Sequence, residues 1–246
     1  MKFVLCVPVH NEEAVINRTL EAIHSFFLRT LGKLTWSILV IDNGSTDHTK
    51  KIVSDSRLTN VRIISIPEKG KGSAIFEAVR KVDADIICIT DADLPVHLED
   101  IVKMTESIVT HKCNLVVGSR RHPETVSDRD VVRSINSRIF NLLARIITGV
   151  KNTDTQCPAK VFDRHAASIL LECKERGWFL DLEFVRRAEL SGLSVAEVPV
   201  HWQERVYKNR KSKVNIVRDG LGAISAMFRI RRDLWSSFSK GKPFYP

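Results

Sequence analysis

Asp91 and Asp93 stand one residue apart just past an apolar run, in the segment Ile86-Ile-Cys-Ile-Thr-Asp91-Ala-Asp93-Leu-Pro95. A short apolar, partly β-branched run fits a buried parallel strand. In open α/β sheets, ligands bind in the crevice beyond the carboxyl ends of the strands. Two carboxylates this close repel each other unless a cation or a proton lies between them. Hard divalent cations take oxygen ligands, and Mg²⁺ often bridges one or two carboxylates to substrate phosphates. The pair therefore points to a metal-assisted diphosphate site. The competing reading is an ordinary solvated turn or helix cap.

The elements that would position the pair alternate along the first half of the chain. Phe3 to Val9, Trp36 to Ile41, Val61 to Ile66, Asp85 to Thr90 and Leu115 to Gly118 read as strands. Glu12 to Arg29 has helical spacing at Val15, Ile16, Leu20, Ile23 and Phe27. Asn11 fits its N-cap, and Glu12 and Glu13 suit its first turn. Helices are also expected from about Thr46, over Ser73 to Val82, and from beyond Pro95 to Val109. This alternation predicts an α/β fold: one Rossmann-like domain with a mostly parallel central sheet and helices on both faces. Beyond residue 120, a polar loop from Arg120 to Arg129 precedes an amphipathic helix, Val131 to Thr148. Ala159 to Phe162 reads as a strand, His165 to Cys173 and Asp181 to Ser191 as helices, and Val195 to Val200 as a strand. Gln203 to Lys213 is strongly basic, and Asn215 to Phe238 is a helical tail. The expected division is a catalytic domain over residues 1–218 and an amphipathic basic tail over 219–246.

Two further strand ends put acceptor side chains at the same sheet edge, Val7-Pro8-Val-His-Asn11-Glu12-Glu13 and Ile41-Asp42-Asn-Gly-Ser45-Thr-Asp47. A carboxylate such as Asp42 can accept hydrogen bonds from a base or ribose. Capping by Asn11 and Ser45 is the plainer explanation. Lys69-Gly70-Lys71-Gly72 resembles a phosphate cradle at a helix start. It is neither a Walker A motif nor a dinucleotide fingerprint.

The chain has 246 residues, 38 basic and 29 acidic, for a net charge of +9. Such an excess suits an anionic partner. Aromatics are few and do not interleave with the basic runs, so nucleic acid is not expected. The five scattered cysteines form no CxxC pair and read as buried apolar residues in a reducing compartment. Phe3 to Val9 is too short for a secretory leader. With no run of about eighteen apolar residues, no membrane span is expected.

The motifs Val-Pro-Val-His-Asn-Glu-Glu, Ile-Asp-Asn-Gly-Ser-Thr-Asp, Lys-Gly-Lys-Gly and Asp-Ala-Asp come in order over residues 4–93. Together they resemble the family-2 glycosyltransferases of A-type, nucleotide-diphospho-sugar fold. The resemblance implies that Pro8, Asn11, Glu12 and Asp42 line a nucleotide pocket, with Lys69 and Gly70 near the phosphates. It makes Asp91 and Asp93 the family's Asp-x-Asp. Asp93 would hold Mg²⁺ or Mn²⁺, and Asp91 would share the metal or lie near the sugar.

Further segments resemble the dolichyl- and polyprenyl-phosphate hexosyltransferases: Val117-Gly-Ser-Arg120, Arg133-Ser-Ile-Asn-Ser137, Asp154-Thr-Gln-Cys157, Phe179-Leu-Asp181-Leu-Glu183 and Val198-Pro-Val-His-Trp202. Asp-Thr-Gln-Cys is similar to the dolichyl-phosphate glucosyltransferase pattern and favours UDP-glucose over GDP-mannose. By that resemblance Arg120, Arg133 and Ser137 grip the lipid phosphate, while Arg205 and Lys213 neutralise the departing diphosphate. Arginine binds phosphate in a bidentate way, and Arg133 and Ser137 are i, i+4 on one helix. Asp181 and Glu183 would hold the sugar or orient arginines, and Asp181 would be the base if the acceptor were a neutral hydroxyl. Pro95 stands where the family often has a metal-ligating glutamine, and Asn43 where a second aspartate is usual.

The implied reaction is inverting transfer of a hexose from a nucleotide diphosphate sugar to a polyprenyl or dolichyl monophosphate. The expected location is peripheral, on the cytoplasmic face of a membrane, with the Leu221 to Phe238 segment suited to an interfacial helix. The alternatives are GDP-mannose as donor, a saccharide or protein hydroxyl as acceptor, or a basic non-catalytic module that binds membrane or nucleic acid.

Overall fold

The apolar runs of the first half form the parallel part of a sheet in the computed structural model, which describes residues 1–32, 34–67, 70–128, 131–203 and 216–239. The strands are β1 (Lys2–Val9), β2 (Thr35–Asp42), β3 (Val61–Ser65), β4 (Ile86–Ile89) and β5 (Leu115–Ser119). Between them lie α1 (Ile16–Thr30), α2 (Thr49–Ser54), α3 (Lys71–Lys81) and α4 (Leu98–Val109). The second half adds a two-residue strand β6 (Ser127–Asp128), α5 (Val131–Thr148), β7 (Lys160–Asp163), α6 (Arg164–Leu171) and α7 (Leu180–Leu190). It closes with β8 (Val195–Pro199), β9 (Trp202–Gln203) and α8 (Ile216–Ser239).

The main sheet has the order β3-β2-β1-β4-β7-β5-β8. Neighbours are parallel except at β7, which runs antiparallel to both β4 and β5. The mostly parallel sheet with helices on both faces is thus as expected. Alternate residues of the central strands enter different cores. Val4 and Cys6 join Leu39, Ile41, Ile87, Ile89 and Phe162 in one. Phe3, Leu5 and Val7 join Ile38, Val40, Ile86, Cys88 and Val161 in the other. Burial on both faces is why these strands read as continuous apolar runs. The tail helix α8 packs one face, Ala223, Met227, Ile230 and Leu234, into the first core.

The orientation of β7 decides what reaches the functional edge. A parallel strand delivers its last residues to the carboxyl edge of the sheet, whereas an antiparallel one delivers its first. Lys160, first in β7, pairs with Ile89 at the end of β4 and with Val117 of β5. The loop before it, with Asp154-Thr-Gln-Cys157, is therefore carried to the same edge as Asp91.

All five cysteines are buried and unpaired, as expected. Burial disfavours the thiolate, and it pushes Cys6 up to about 12 and Cys157 to about 11.

Two glycines at the start of α3 answer to packing. Gly70 adopts φ 131°, and a Cβ there would lie 2.9 Å from the Arg176 carbonyl oxygen. A Cβ on Gly72 would lie 2.5 Å from the Gly177 carbonyl oxygen and 2.6 Å from Arg176 backbone atoms. The obstruction is backbone, which cannot swing aside like a long side chain. Gly72→Ala is expected to cost about 1–3 kcal/mol of stability, read as a lower midpoint in urea or thermal unfolding. Gly32→Ala, whose Cβ would meet nothing within 4 Å, is the control. Equal losses in the two variants would refute the close-approach explanation.

Candidate active site

The ends of β1 and β2 lie side by side, Pro8 beside Ile41 and Val9 beside Asp42. The loops that follow are laced together. The Asn11 N–H donates to Ser45 Oγ at 3.0 Å, and Asn11 Oδ1 accepts the Thr46 N–H at 2.8 Å. The Glu12 N–H donates to Thr49 Oγ1 at 2.8 Å, and the Glu13 N–H to Asp47 Oδ2 at 3.1 Å. His10 Nδ1 donates to the Asn43 carbonyl at 2.9 Å.

This lacing corrects the capping expectation. Helix α1 begins at Ile16, with Val15 at the N-cap position, no side-chain cap and no acidic residue in its first turn. Asn11 sits instead at φ 55°, a region asparagine tolerates better than most residues, and its side chain serves the opposite loop. Ser45 likewise accepts from Asn11. Asp42 is buried, with Oδ1 accepting the Ser45 N–H at 3.1 Å. Pro8, Asn11, Glu12 and Asp42 therefore share one edge, as the sequence implied.

The Asp91-to-Leu94 turn is pinned from below. The Thr19 hydroxyl donates to the Ala92 carbonyl at 2.6 Å, and the Leu94 N–H turns back to the Asp91 carbonyl at 3.1 Å. Leu94 lies at φ 45°. Strain of this kind costs about 1–3 kcal/mol and persists only where the surroundings impose it.

Three ion pairs cluster around this turn. Lys71 Nζ, at the start of α3, is 2.7 Å from Asp91 Oδ1. Lys160 Nζ is 2.7 Å from Asp181 Oδ1 and also donates to the Cys157 carbonyl at 2.6 Å. Arg120 grips Asp154 with Nε at 2.7 Å and Nη2 at 2.6 Å, and its own N–H adds a bond at 2.9 Å. Burial works against the Lys71 charge, but the Asp91 and Asp181 carboxylates outweigh it and hold the ammonium above the ordinary lysine value.

These contacts revise several expected roles. Asp154 already supplies the counter-charge that a lipid phosphate was expected to offer Arg120, whose guanidinium also lies 4.8 Å from the Trp202 ring centroid. Arg121 reaches α5 instead, donating from Nη1 to the Ser137 carbonyl at 3.2 Å. Asp181 is bound to Lys160. Glu183 faces away from the cluster: Oε1 accepts from Arg187 Nε at 2.7 Å, and Oε2 accepts the Lys174 and Glu175 N–H groups at 3.0 and 2.8 Å. It thus orients an arginine, but one in the core. At the Lys-Gly-Lys-Gly segment the Ser73 N–H is taken by the Arg176 carbonyl at 2.8 Å, so that amide faces the protein's own backbone. The sequence reading passed over Lys71 as a site residue, and also Lys160, Trp178 and Trp202. A lysine inside Ala159-Lys-Val-Phe162 was the available signal, since a charge in an apolar strand must be buried and paired.

A short strap ties the pieces together. The Trp202 N–H donates to the Val126 carbonyl at 2.8 Å and the Gln203 N–H to the Pro95 carbonyl at 2.9 Å. The His201 N–H donates to Asp100 Oδ2 at 2.6 Å. The strap so joins the Asp-x-Asp loop to the segment after Arg120. Lys69, Arg205 and Lys213 lie outside the described residues, and Arg133 is described only as part of α5.

Among the described residues no group of three or more His, Cys, Asp or Glu converges as a metal cage. Asp91 and Asp93 still fit a hard divalent ion that takes its remaining oxygens from a substrate diphosphate. Asp91 shares its charge with Lys71 at 2.7 Å.

Asp154→Ala leaves the Arg120 guanidinium without its bidentate partner, and such a loss costs about 3–5 kcal/mol. Urea unfolding should show that loss, and Asp154→Ala combined with Arg120→Met should recover part of it. A double variant as unstable as the summed singles would rule out the pair as the cause.

Comparison with known proteins fits this geometry. The sequence model described as Glycosyl transferase family 2 matches residues 4–170. Glycosyltransferase AglD of Haloferax volcanii is 30% identical over 91% of this chain and 36% of its own length. Dolichyl-phosphate beta-glucosyltransferase ALG5C of Trichomonas vaginalis is 30% identical over 94% of this chain and 72% of its own length. Undecaprenyl-phosphate 4-deoxy-4-formamido-L-arabinose transferase of Salmonella paratyphi B is 32% identical over 85% and 62%. The chain thus spans only part of each relative. Among solved structures, glucosyl-3-phosphoglycerate synthase from Mycobacterium tuberculosis in complex with UDP has the same fold, with a TM-score of 0.66 at 20% identity over 93% of this chain and 77% of that one. On the strength of the family match over most of its length, this chain belongs to glycosyl transferase family 2.

Proposed function

We propose that the chain transfers a hexose, preferentially glucose, from a nucleotide diphosphate sugar to a polyprenyl or dolichyl monophosphate, with inversion at the anomeric carbon. The carrying observation is the meeting, at one sheet edge, of the laced nucleotide-side loops with the Lys71–Asp91 and Arg120–Asp154 pairs. Two relatives named for dolichyl and undecaprenyl phosphate support the acceptor class.

In this reading Pro8, Asn11, Glu12 and Asp42 hold the nucleotide, and Gly70, Lys69, Arg205 and Lys213 serve its phosphates. Asp93, with Asp91 beside it, would hold Mg²⁺ or Mn²⁺, which supplies Lewis-acid charge to the diphosphate when bound. The structural neighbour was solved with Mn²⁺ and UDP-glucose, so Mn²⁺ is the first ion to try. A phosphate acceptor is already anionic at neutral pH and needs no strong base. That agrees with Asp181, whose carboxylate is engaged by Lys160, and it favours a phosphate over a hydroxyl acceptor. Catalysis then rests on positioning and on stabilising the departing diphosphate. Arg120, Arg133 and Ser137 are the acceptor-side candidates, joined by Arg121.

A polyprenyl acceptor lies in a bilayer, and two helices offer a surface for one. On α5, Ile135, Ile139, Leu142 and Ile146 form an exposed stripe at helical spacing, with Arg138 and Arg145 exposed beside it. On α8, Ile224, Phe228 and Trp235 are exposed near Arg231 and Arg232. Apolar residues flanked by arginine suit the interface of an anionic leaflet, at roughly 1 kcal/mol per basic residue. No helix among the described residues is long and apolar enough to cross a membrane. The contact we propose is a peripheral one made by these two helical faces, on the cytoplasmic face.

Incubation with Mn²⁺ or Mg²⁺, a polyprenyl phosphate and a panel of sugar nucleotides should give a lipid-linked hexose from UDP-glucose ahead of GDP-mannose. Product on a sugar alcohol but none on the lipid phosphate would refute the acceptor assignment. Asp93→Ala should lose at least about 100-fold in turnover, the scale of a several-kcal/mol metal contribution, and unchanged turnover would remove Asp93 from the metal's ligands. Ile139→Asp combined with Ile146→Asp should reduce sedimentation with anionic vesicles while leaving nucleotide binding intact. Undiminished sedimentation would take α5 out of the membrane contact.

A further inference from the structure

Trp178 keeps 53% of its surface exposed although it borders the Lys71–Asp91 ion pair. Its backbone is held from both sides. Just before it, the Lys174 and Glu175 N–H groups are fixed on Glu183, and the Arg176 carbonyl accepts the Ser73 N–H. The Arg176 guanidinium lies 3.7 Å from the Phe76 ring centroid and donates to the Cys173 carbonyl at 2.5 Å. Just after it, α7 begins at Leu180, and Asp181 is bound to Lys160. An exposed indole on a braced loop is pre-organised, so a ligand that packs against it meets little ordering cost.

The surroundings indicate which ligand. Lys71 Nζ lies 5.7 Å from the indole centroid and 2.7 Å from Asp91. A single ammonium thus separates the aromatic face from the first aspartate of the motif. A flat apolar face edged by a cation and a carboxylate matches a molecule with one C–H face and a rim of hydroxyls, which describes a hexose ring. The negative face of an indole attracts polarised C–H groups and contributes apolar contact area. A nucleobase also stacks on an indole, but in the proposed function the base sits at the loops after β1 and β2, which leaves the hexose for this face.

We propose that Trp178 stacks on the hexose of the bound sugar nucleotide, with Lys71 and Asp91 at the sugar's polar edge, and so sets the preference for sugar nucleotide over free nucleotide. This rests on the reading of the donor as a sugar nucleotide. Titration calorimetry of the full chain with Mn²⁺ compares UDP, UDP-glucose and GDP-mannose on wild type, Trp178→Ala and Trp178→Phe. Trp178→Ala should bind the preferred sugar nucleotide about fivefold to tenfold more weakly, the scale of one aromatic contact, and its parent nucleotide within about twofold of wild type. Trp178→Phe should restore most of the loss. The difference in tryptophan emission between wild type and Trp178→Phe should change on adding the sugar nucleotide but not the free nucleotide. The KM for polyprenyl phosphate should stay as in wild type.

Equal losses for nucleotide and sugar nucleotide would overturn the proposal and leave Trp178 as a support for Lys71. A raised acceptor KM with donor binding intact would overturn it in favour of a lipid contact. Wild type that binds no sugar nucleotide would overturn both this inference and the donor reading. Wild type that binds with no difference among the variants would overturn the stacking alone.

Discussion

The Lys160 ammonium has no solvent exposure, and the arrangement of the functional edge follows from that constraint. An ionised group without water must be paired and hydrogen-bonded. Asp181 and the Cys157 carbonyl meet the requirement, and in doing so they fasten the first turn of α7 and the loop before β7 to one point. With Asp181 fixed, the chain that enters α7 is fixed too, and that chain presses on α3 and sets Lys71 beside Asp91. Buried ion pairs are weak sources of stability because desolvation offsets most of their attraction. Two of them beside the partly exposed Lys71–Asp91 pair fix charge at a sheet edge in advance of any ligand, the condition under which electrostatic stabilisation of a reaction costs no reorganisation.

Topology makes this arrangement possible. Were β7 parallel to its neighbours, its first residue would lie at the opposite edge and the Asp154-to-Cys157 loop would follow it there. The antiparallel insertion between β4 and β5 places a cation at the level of Ile89 and a bidentate carboxylate beneath Arg120. The β9 strap completes the frame by joining the turn after Asp93 to the segment after Arg120. Each side chain of the cluster is therefore held by an element remote from it in sequence.

That remoteness marks the limit of what could be read from sequence. Strand positions were legible because strands buried on both faces appear as apolar runs, and α1 was legible from its apolar spacing at Ile16, Leu20, Ile23 and Phe27. The cap at Asn11 was not. Asparagine followed by two glutamates before an apolar stripe is a helix-start pattern, and nothing local reveals that Ser45 and Thr46 claim the asparagine. Gly70 and Gly72 were read as making room for a phosphate, yet the backbone they accommodate belongs to residues 176 and 177. Arg120 was recognised as important while its partner Asp154 was seen only as part of a motif. Pairing across 34 residues leaves no local trace, whereas a lysine in an apolar strand does.

The deep burial of Cys6, Cys88, Cys157 and Cys173 has a practical side. A thiol kept from water and held in its neutral form is a poor nucleophile, so maleimide-type reagents at neutral pH should pass over these four in the folded chain, while Cys113 lies nearer the surface. A cysteine introduced at an exposed position such as Ile146 or Trp235 would be the reactive one. With Cys113 replaced, spectroscopic probes attached at those positions one at a time would test whether the helical face meets a lipid surface.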